Sequence, residues 1–123
     1  MPAYSNATPP LALFPGDVGF SFNAESFPSD GTAGAQFAVP EPAGFPDQGR
    51  AVRWQTIFGS NPSAINIRLQ GATADVDAEY TDVDTSTSTS GEARTVAGVR
   101  ARFLRVKKVS STGGSSLTAK ILP

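Results

Sequence analysis

The segment "SAINIRLQGA", residues 63–72, constrains the fold more tightly than any other stretch of the chain. Ile65, Ile67 and Leu69 alternate with Asn66, Arg68 and Gln70, a period of two that gives a strand one apolar and one polar face. The same grammar recurs around it. "AVRWQTIFG" (51–59) is rich in strand-forming residues and stops at Gly59, with "SNPS" as a turn; "VDAEYTDV" (76–83) alternates more weakly. "TVAGVRARFLRVKKV" (95–109) reads as two short strands or one strand bent at Gly98. "SLTAKIL" (116–122) puts Leu117, Ala119 and Ile121 on one face, and "SSTGGSS" before it reads as a hairpin loop. No segment keeps a helical period. Short strands spaced by about ten residues predict an all-β fold, an antiparallel β-sandwich or jelly-roll-like domain over residues 51–123.

Residues 1–50 follow another pattern. They hold eight of the ten Pro and six of the eight Phe, in short pieces such as "LALF", "VGFSF", "AQFAV" and "AGFPD" that end at Pro, Gly or Asp. Low net charge and this many aromatics argue against simple disorder, because Phe side chains need a surface to bury against. An extended arm is expected here, with Phe14, Phe20, Phe22, Phe37 and Phe45 as its anchors on neighbouring subunits. At 123 residues the chain is long enough for one domain of modest core.

The sequence contains no His and no Cys, which removes the usual general base, the commonest zinc ligands and any thiol nucleophile. No G-x-S-x-G elbow is present, and no pair of acids is framed by apolar pocket walls, so an enzyme is not expected and no cofactor is implied. No apolar run is long enough to span a membrane, and the N-terminus lacks the pattern of a signal peptide.

Charge is segregated. Six acids and no base lie between Gly71 and Glu92, followed by seven bases and no acid from Ala93 onward. Either the two segments neutralise one another across strands, or they form opposite surfaces that orient a docking partner. "DVDAEYTDVD" (75–84) spaces carboxylates as a Ca²⁺ loop does, but Tyr80 stands where such a loop needs Gly, so a solvated acidic strand face is expected and no metal site. "RARFLRVKK" (100–108) is basic enough to raise nucleic-acid binding, which the net charge of −1 and the pI near 5.2 speak against. Arg100, Arg102 and Lys108 are instead candidates for a docking face toward an acidic protein surface. Trp54 and Tyr80 are the candidate stacking platforms if the chain binds sugars. The run "TSTSTS" (85–90) is expected to form an exposed loop between a strand ending near Val83 and a return strand from Ala93.

Three short motifs carry a resemblance: Leu69-Gln70-Gly71, Tyr80-Thr81-Asp82-Val83 and Ala101-Arg102-Phe103-Leu104-Arg105-Val106. In their order and spacing, residues 63–122 resemble the small β-sandwich modules of tailed-bacteriophage virions. The same order occurs in discoidin-like carbohydrate-binding sandwiches, which carry a Trp where this chain has Tyr80. The phage resemblance implies a head decoration (cement) protein on the capsid surface, made in the host cytoplasm. Its implied partners are the major capsid protein and sister copies, with neither nucleic acid nor membrane. A tail or neck adaptor and a carbohydrate-binding module of a tail or cell surface are the alternatives.

Overall fold

In the computed structural model, which describes residues 2–3, 11–14, 16–39 and 49–123, the alternation at 63–72 becomes a nine-residue strand, Ala64–Ala72. Numbered along the chain, the strands are β1 (Pro2–Ala3), β2 (Leu11–Ala12), β3 (Val18–Glu25), β4 (Thr32–Ala33), β5 (Phe37–Ala38), β6 (Arg50–Phe58) and β7 (Ala64–Ala72). β8 (Thr81–Ser86), β9 (Glu92–Val99), β10 (Phe103–Thr112) and β11 (Leu117–Leu122) follow, and one 3₁₀ turn, Asp77–Glu79, precedes β8. They form two sheets. The first has the order β1-β3-β11-β6-β9; the second has β2-β5-β10-β7-β8, with β4 also on β10. β1 and β2 pair in parallel with β3 and β5, and the other pairings are antiparallel.

The sheets pack face to face through the apolar half of each alternation, which is the arrangement of a β-sandwich. Phe22, Val52, Trp54, Ala119 and Ile121 come from the first sheet; Phe37, Ile67, Leu69, Leu104 and Val106 come from the second. Fully burying side chains of this size contributes about 1.5–3 kcal/mol each before conformational entropy is counted. The all-β sandwich expected from the alternation is the observed fold.

The compositional boundary at residue 50 does not coincide with a boundary in the structure. β3 lies inside the first sheet, bonded to β11, while β4 and β5 complete the free side of β10. Phe22 and Phe37 are 1% and 0% exposed and belong to the common core. Pro and Gly here separate short strands instead of keeping an arm extended, and these rings find their burial within their own sandwich. Residues 34 and 35 run so close to β3 that a Cβ on Gly34 would stand 2.3 Å from the Ser21 carbonyl oxygen. Ser21 itself is fully buried. Its hydroxyl donates to the Ala35 carbonyl at 2.8 Å and accepts from the Val106 amide at 2.9 Å, which ties the two sheets together through the core.

Two expected hairpins are crossings between sheets. β8 pairs with β7 and β9 with β6, so the Ser/Thr segment between them passes from one sheet to the other, turning at Gly91 (φ 80°). There a Cβ would lie 2.5 Å from the Thr56 carbonyl oxygen. The "SSTGGSS" loop likewise joins β10 in one sheet to β11 in the other. Alternation fixes which face of a strand is apolar but leaves open which sheet the strand joins. The acidic segment is also corrected: residues 77–79 form the 3₁₀ turn, and the strand runs from Thr81 to Ser86.

Candidate functional site

The charge step resolves into two clusters. The first occupies the outward face of the second sheet, where Arg105 of β10 lies opposite Gln70 of β7, and Gln70 opposite Asp82 of β8. Arg105 Nε donates to Gln70 Oε1 at 3.0 Å, and Gln70 Nε2 donates to Asp82 Oδ1 at 3.0 Å. Arg68 pairs with the other oxygen of Asp82. The Arg105 guanidinium also bonds Asp77 at 2.8 Å and lies 4.0 Å above the centre of the Tyr80 ring. The Tyr80 hydroxyl donates to Asp75 at 2.8 Å. The Arg105–Gln70–Asp82 row follows from strand register, while Asp75, Asp77 and Tyr80 reach it from the connection between β7 and β8.

This network sets the local ionisation. The hydrogen bond and charge of Arg105 hold the Asp77 carboxyl below its ordinary range; at Asp82 the Gln70 bond, aided by Arg68, outweighs the opposing effect of burial and also lowers the carboxyl. Burial pushes the Tyr80 hydroxyl well above its usual value, and its bond to Asp75 adds to the shift. The alternate carboxylates Asp75 and Asp77 are thus bonded to Tyr80 and Arg105, and no group of three metal-ligating side chains occurs among the described residues. Beside the network an open groove of about 540 Å³ is lined by Arg68, Gln70, Tyr80, Asp82 and Lys107, among others.

The second cluster closes the sandwich between its edge strands. Asp84 of β8 accepts bonds from Arg94 Nε of β9 at 2.7 Å and from the Trp54 indole of β6 at 2.9 Å. Ser86 donates to Glu92 at 2.6 Å, and Arg94 reaches Glu92 as well at 3.4 Å. Burial raises the Asp84 pKa, but the bonds from Arg94 and Trp54 outweigh it and the net shift is downward. The acids and bases that are separate in sequence are therefore paired in space, which selects cross-strand and cross-sheet complementarity at these positions.

The expected site residues scatter. Phe14 is 56% exposed just beyond β2, its amide donating to Asp17 at 2.9 Å. Phe20 is half-buried, with the Lys120 ammonium 5.6 Å from its ring centre. Phe22 and Phe37 are core residues and have no surface to offer a partner. Phe45 lies outside the described residues. Arg100 and Arg102 are exposed in the connection between β9 and β10, and Arg100 borders a 240 Å³ depression with Gly71, Thr81 and Val83. Lys108 does not share their face. Its side chain points inward, is buried, and bonds the Pro28 carbonyl at 2.8 Å and Asp30 at 2.6 Å. Of the eight, only Phe14, Arg100 and Arg102 are freely exposed among the described residues.

Trp54 is buried with its indole nitrogen bonded to Asp84, and the Tyr80 ring is covered by Arg105, so neither presents a face on which a sugar could stack. The signal for the Asp84–Arg94–Trp54 cluster was the charge step itself. Its partners could not be read without knowing that β8 and β9 belong to different sheets.

No protein-family model matches the chain, and no curated protein matches its sequence. Among solved structures, the fold is similar to that of the SPBc2 prophage-derived protein YomS, at a TM-score of 0.51 and 11% identity over 87% of this chain and 94% of that one. It is also similar to the K1 cleaved adhesin domain of Lys-gingipain from Porphyromonas gingivalis W83, at a TM-score of 0.55 and 11% identity over 85% of this chain and 70% of that one. At such identity the likeness is one of fold: a single sandwich architecture serves a prophage-derived protein and a bacterial adhesin domain.

Proposed function

We propose that the chain is a non-enzymatic structural protein of a tailed-phage particle, a decoration (cement) module that sits on the capsid and bridges its subunits. The observation that carries this reading is the likeness of fold to a prophage-derived protein across nearly the whole of both chains. The distribution of polar groups supports it, since the two clusters spend their charges on each other across strands and sheets. Contact with the capsid would run through Phe14 and Leu11, 56% and 44% exposed at β2, an edge strand of the second sheet. An exposed ring and an exposed leucine at a sheet edge supply apolar anchoring area that a monomer gains nothing by showing.

The test is to tag the chain in the genome that encodes it, purify the particles produced and locate the tag by mass spectrometry and electron microscopy. Labelling spread over the head is the expected result. Particles without the tag would sink the proposal, and label confined to the tail or neck would favour the adaptor role. The adhesin domain of similar fold supports a second reading, attachment to a surface ligand, which the same tagged protein tests by binding to whole host cells.

A further inference from the structure

The two outward faces of the sandwich differ in character. On the second sheet the charges are paired in the network around Arg105. On the first sheet, the outward positions of β6 are Ala51, Arg53, Gln55 and Ile57; those of β9 are Ala93, Thr95 and Ala97; those of β11 are Thr118, Lys120 and Leu122. These three strands put two bases and no acid on that face. Ile57 is 39% exposed, lies opposite Thr118, and is the diagonal neighbour of Lys120, while Leu122 lies opposite Arg53. Exposed apolar surface at Ile57 beside Arg53 and Lys120 is suited to a partner surface that is apolar and acidic.

The molecule carries the counterpart of this face. In the connection from β7 to β8, residues 73–79 are all exposed. Val76 is 54% exposed at its centre, flanked by the carboxylates of Asp75 and Glu79, while Asp77 beside it is paired with Arg105. Two of the four large apolar residues most exposed among the described ones thus stand on surfaces of opposite sign, Ile57 among bases and Val76 among acids.

We infer that the Arg53–Ile57–Lys120 face of one copy receives the Asp75–Val76–Glu79 projection of a second copy, a head-to-side contact between copies of this chain. This builds on the sister-copy contacts implied for a decoration protein and specifies which surfaces meet. Because the two surfaces differ, the contact is heterologous: it closes into a ring or grows as a chain, and it is steered by charge.

Sedimentation velocity on the full chain tests it. Concentration-dependent association is expected at about 0.1 M salt and dissociation at about 1 M, as the screening length falls from about 10 Å to about 3 Å. Arg53→Glu/Lys120→Glu and Val76→Ser/Glu79→Gln should each be monomeric, with unchanged circular dichroism, whereas Arg100→Glu/Arg102→Glu should associate like the parent. Mixing the two monomeric variants should restore a dimer that grows no further, since each retains one intact surface. A parent that stays monomeric at millimolar concentration overturns the inference, as does association that survives the first two variants, is lost in the third, or fails to return on mixing. The outcome is independent of particle labelling. A labelled particle with a monomeric chain overturns this contact alone, and an associating chain absent from particles overturns the capsid role alone.

Discussion

Arg94 and Asp84 stand on different sheets and meet through two hydrogen bonds, Nε to Oδ2 at 2.7 Å and Nη2 to Oδ1 at 3.1 Å, while the same Oδ2 accepts the buried Trp54 indole. One carboxylate thus joins both edge strands to the largest ring of the core. An exposed ion pair alone contributes roughly 0–1 kcal/mol, but removal of Asp84 also leaves the indole N–H without its acceptor. Asp84→Ala is expected to cost about 2–3 kcal/mol and Arg94→Ala distinctly less, a ranking that chemical denaturation would measure. Equal losses would mean that the indole bond contributes nothing.

Ser21 makes a comparable link within the core. Ser21→Ala removes a donor to Ala35 and an acceptor for Val106 with almost no change of volume, and is expected to cost about 1–3 kcal/mol through the unpaired backbone groups. Gly34→Ala should destabilise by more, since its Cβ would press on Ser21 backbone atoms that have no room to move. Thermal melting of both variants checks the order.

Acid should weaken the fold in a defined window. Asp77, Asp82 and Asp84 all titrate below their ordinary value in the folded chain, so the unfolded chain takes up protons first as pH falls. Their stabilising contribution is fully present above about pH 4 and is lost as pH drops through the depressed folded values. Denaturant midpoints should therefore be level, as far as these carboxyls are concerned, from neutrality to about pH 5 and decline below about pH 4. In Asp84→Asn the decline should be shallower.

The phenylalanines of the first fifty residues should separate by burial. Phe22→Ala and Phe37→Ala are each expected to cost about 3–5 kcal/mol and to impair folding outright. Phe14→Ser should leave the melting temperature within about 2–4 °C of the parent, because the ring is largely in solvent, and under the proposed capsid role it should weaken attachment to particles instead. A strongly destabilised Phe14→Ser would show that its ring packs within the monomer.

The strands at 51–59, 63–72 and 116–122 were legible in the sequence because their alternation reports directly on a buried and a solvated face. The expected arm gives way to strands for a physical reason: Pro and Gly mark chain breaks equally well in an extended arm and between two-residue strands such as β4 and β5. Lys108 reads as part of a basic surface because Arg105 and Lys107 precede it on its strand. The pleat turns it inward, where the Asp30 carboxylate and the Pro28 carbonyl neutralise and solvate it. Trp54 reads from its strand as a candidate for stacking, whereas in the fold its N–H is bonded to Asp84, thirty residues away. Such partners depend on which sheet each strand joins, and local periodicity does not encode that choice.

The place of β11 bears on how the chain leaves the ribosome. It lies between β3 and β6 in the first sheet, and it follows both in the order of synthesis. Until residues 117–122 emerge, β3 and β6 have no strand between them, and each has an unpaired edge. Closure of the first sheet thus waits for the strand of that sheet made after β3, β6 and β9, and a nascent chain stalled before Leu117 keeps two strand edges open to mispairing with its neighbours.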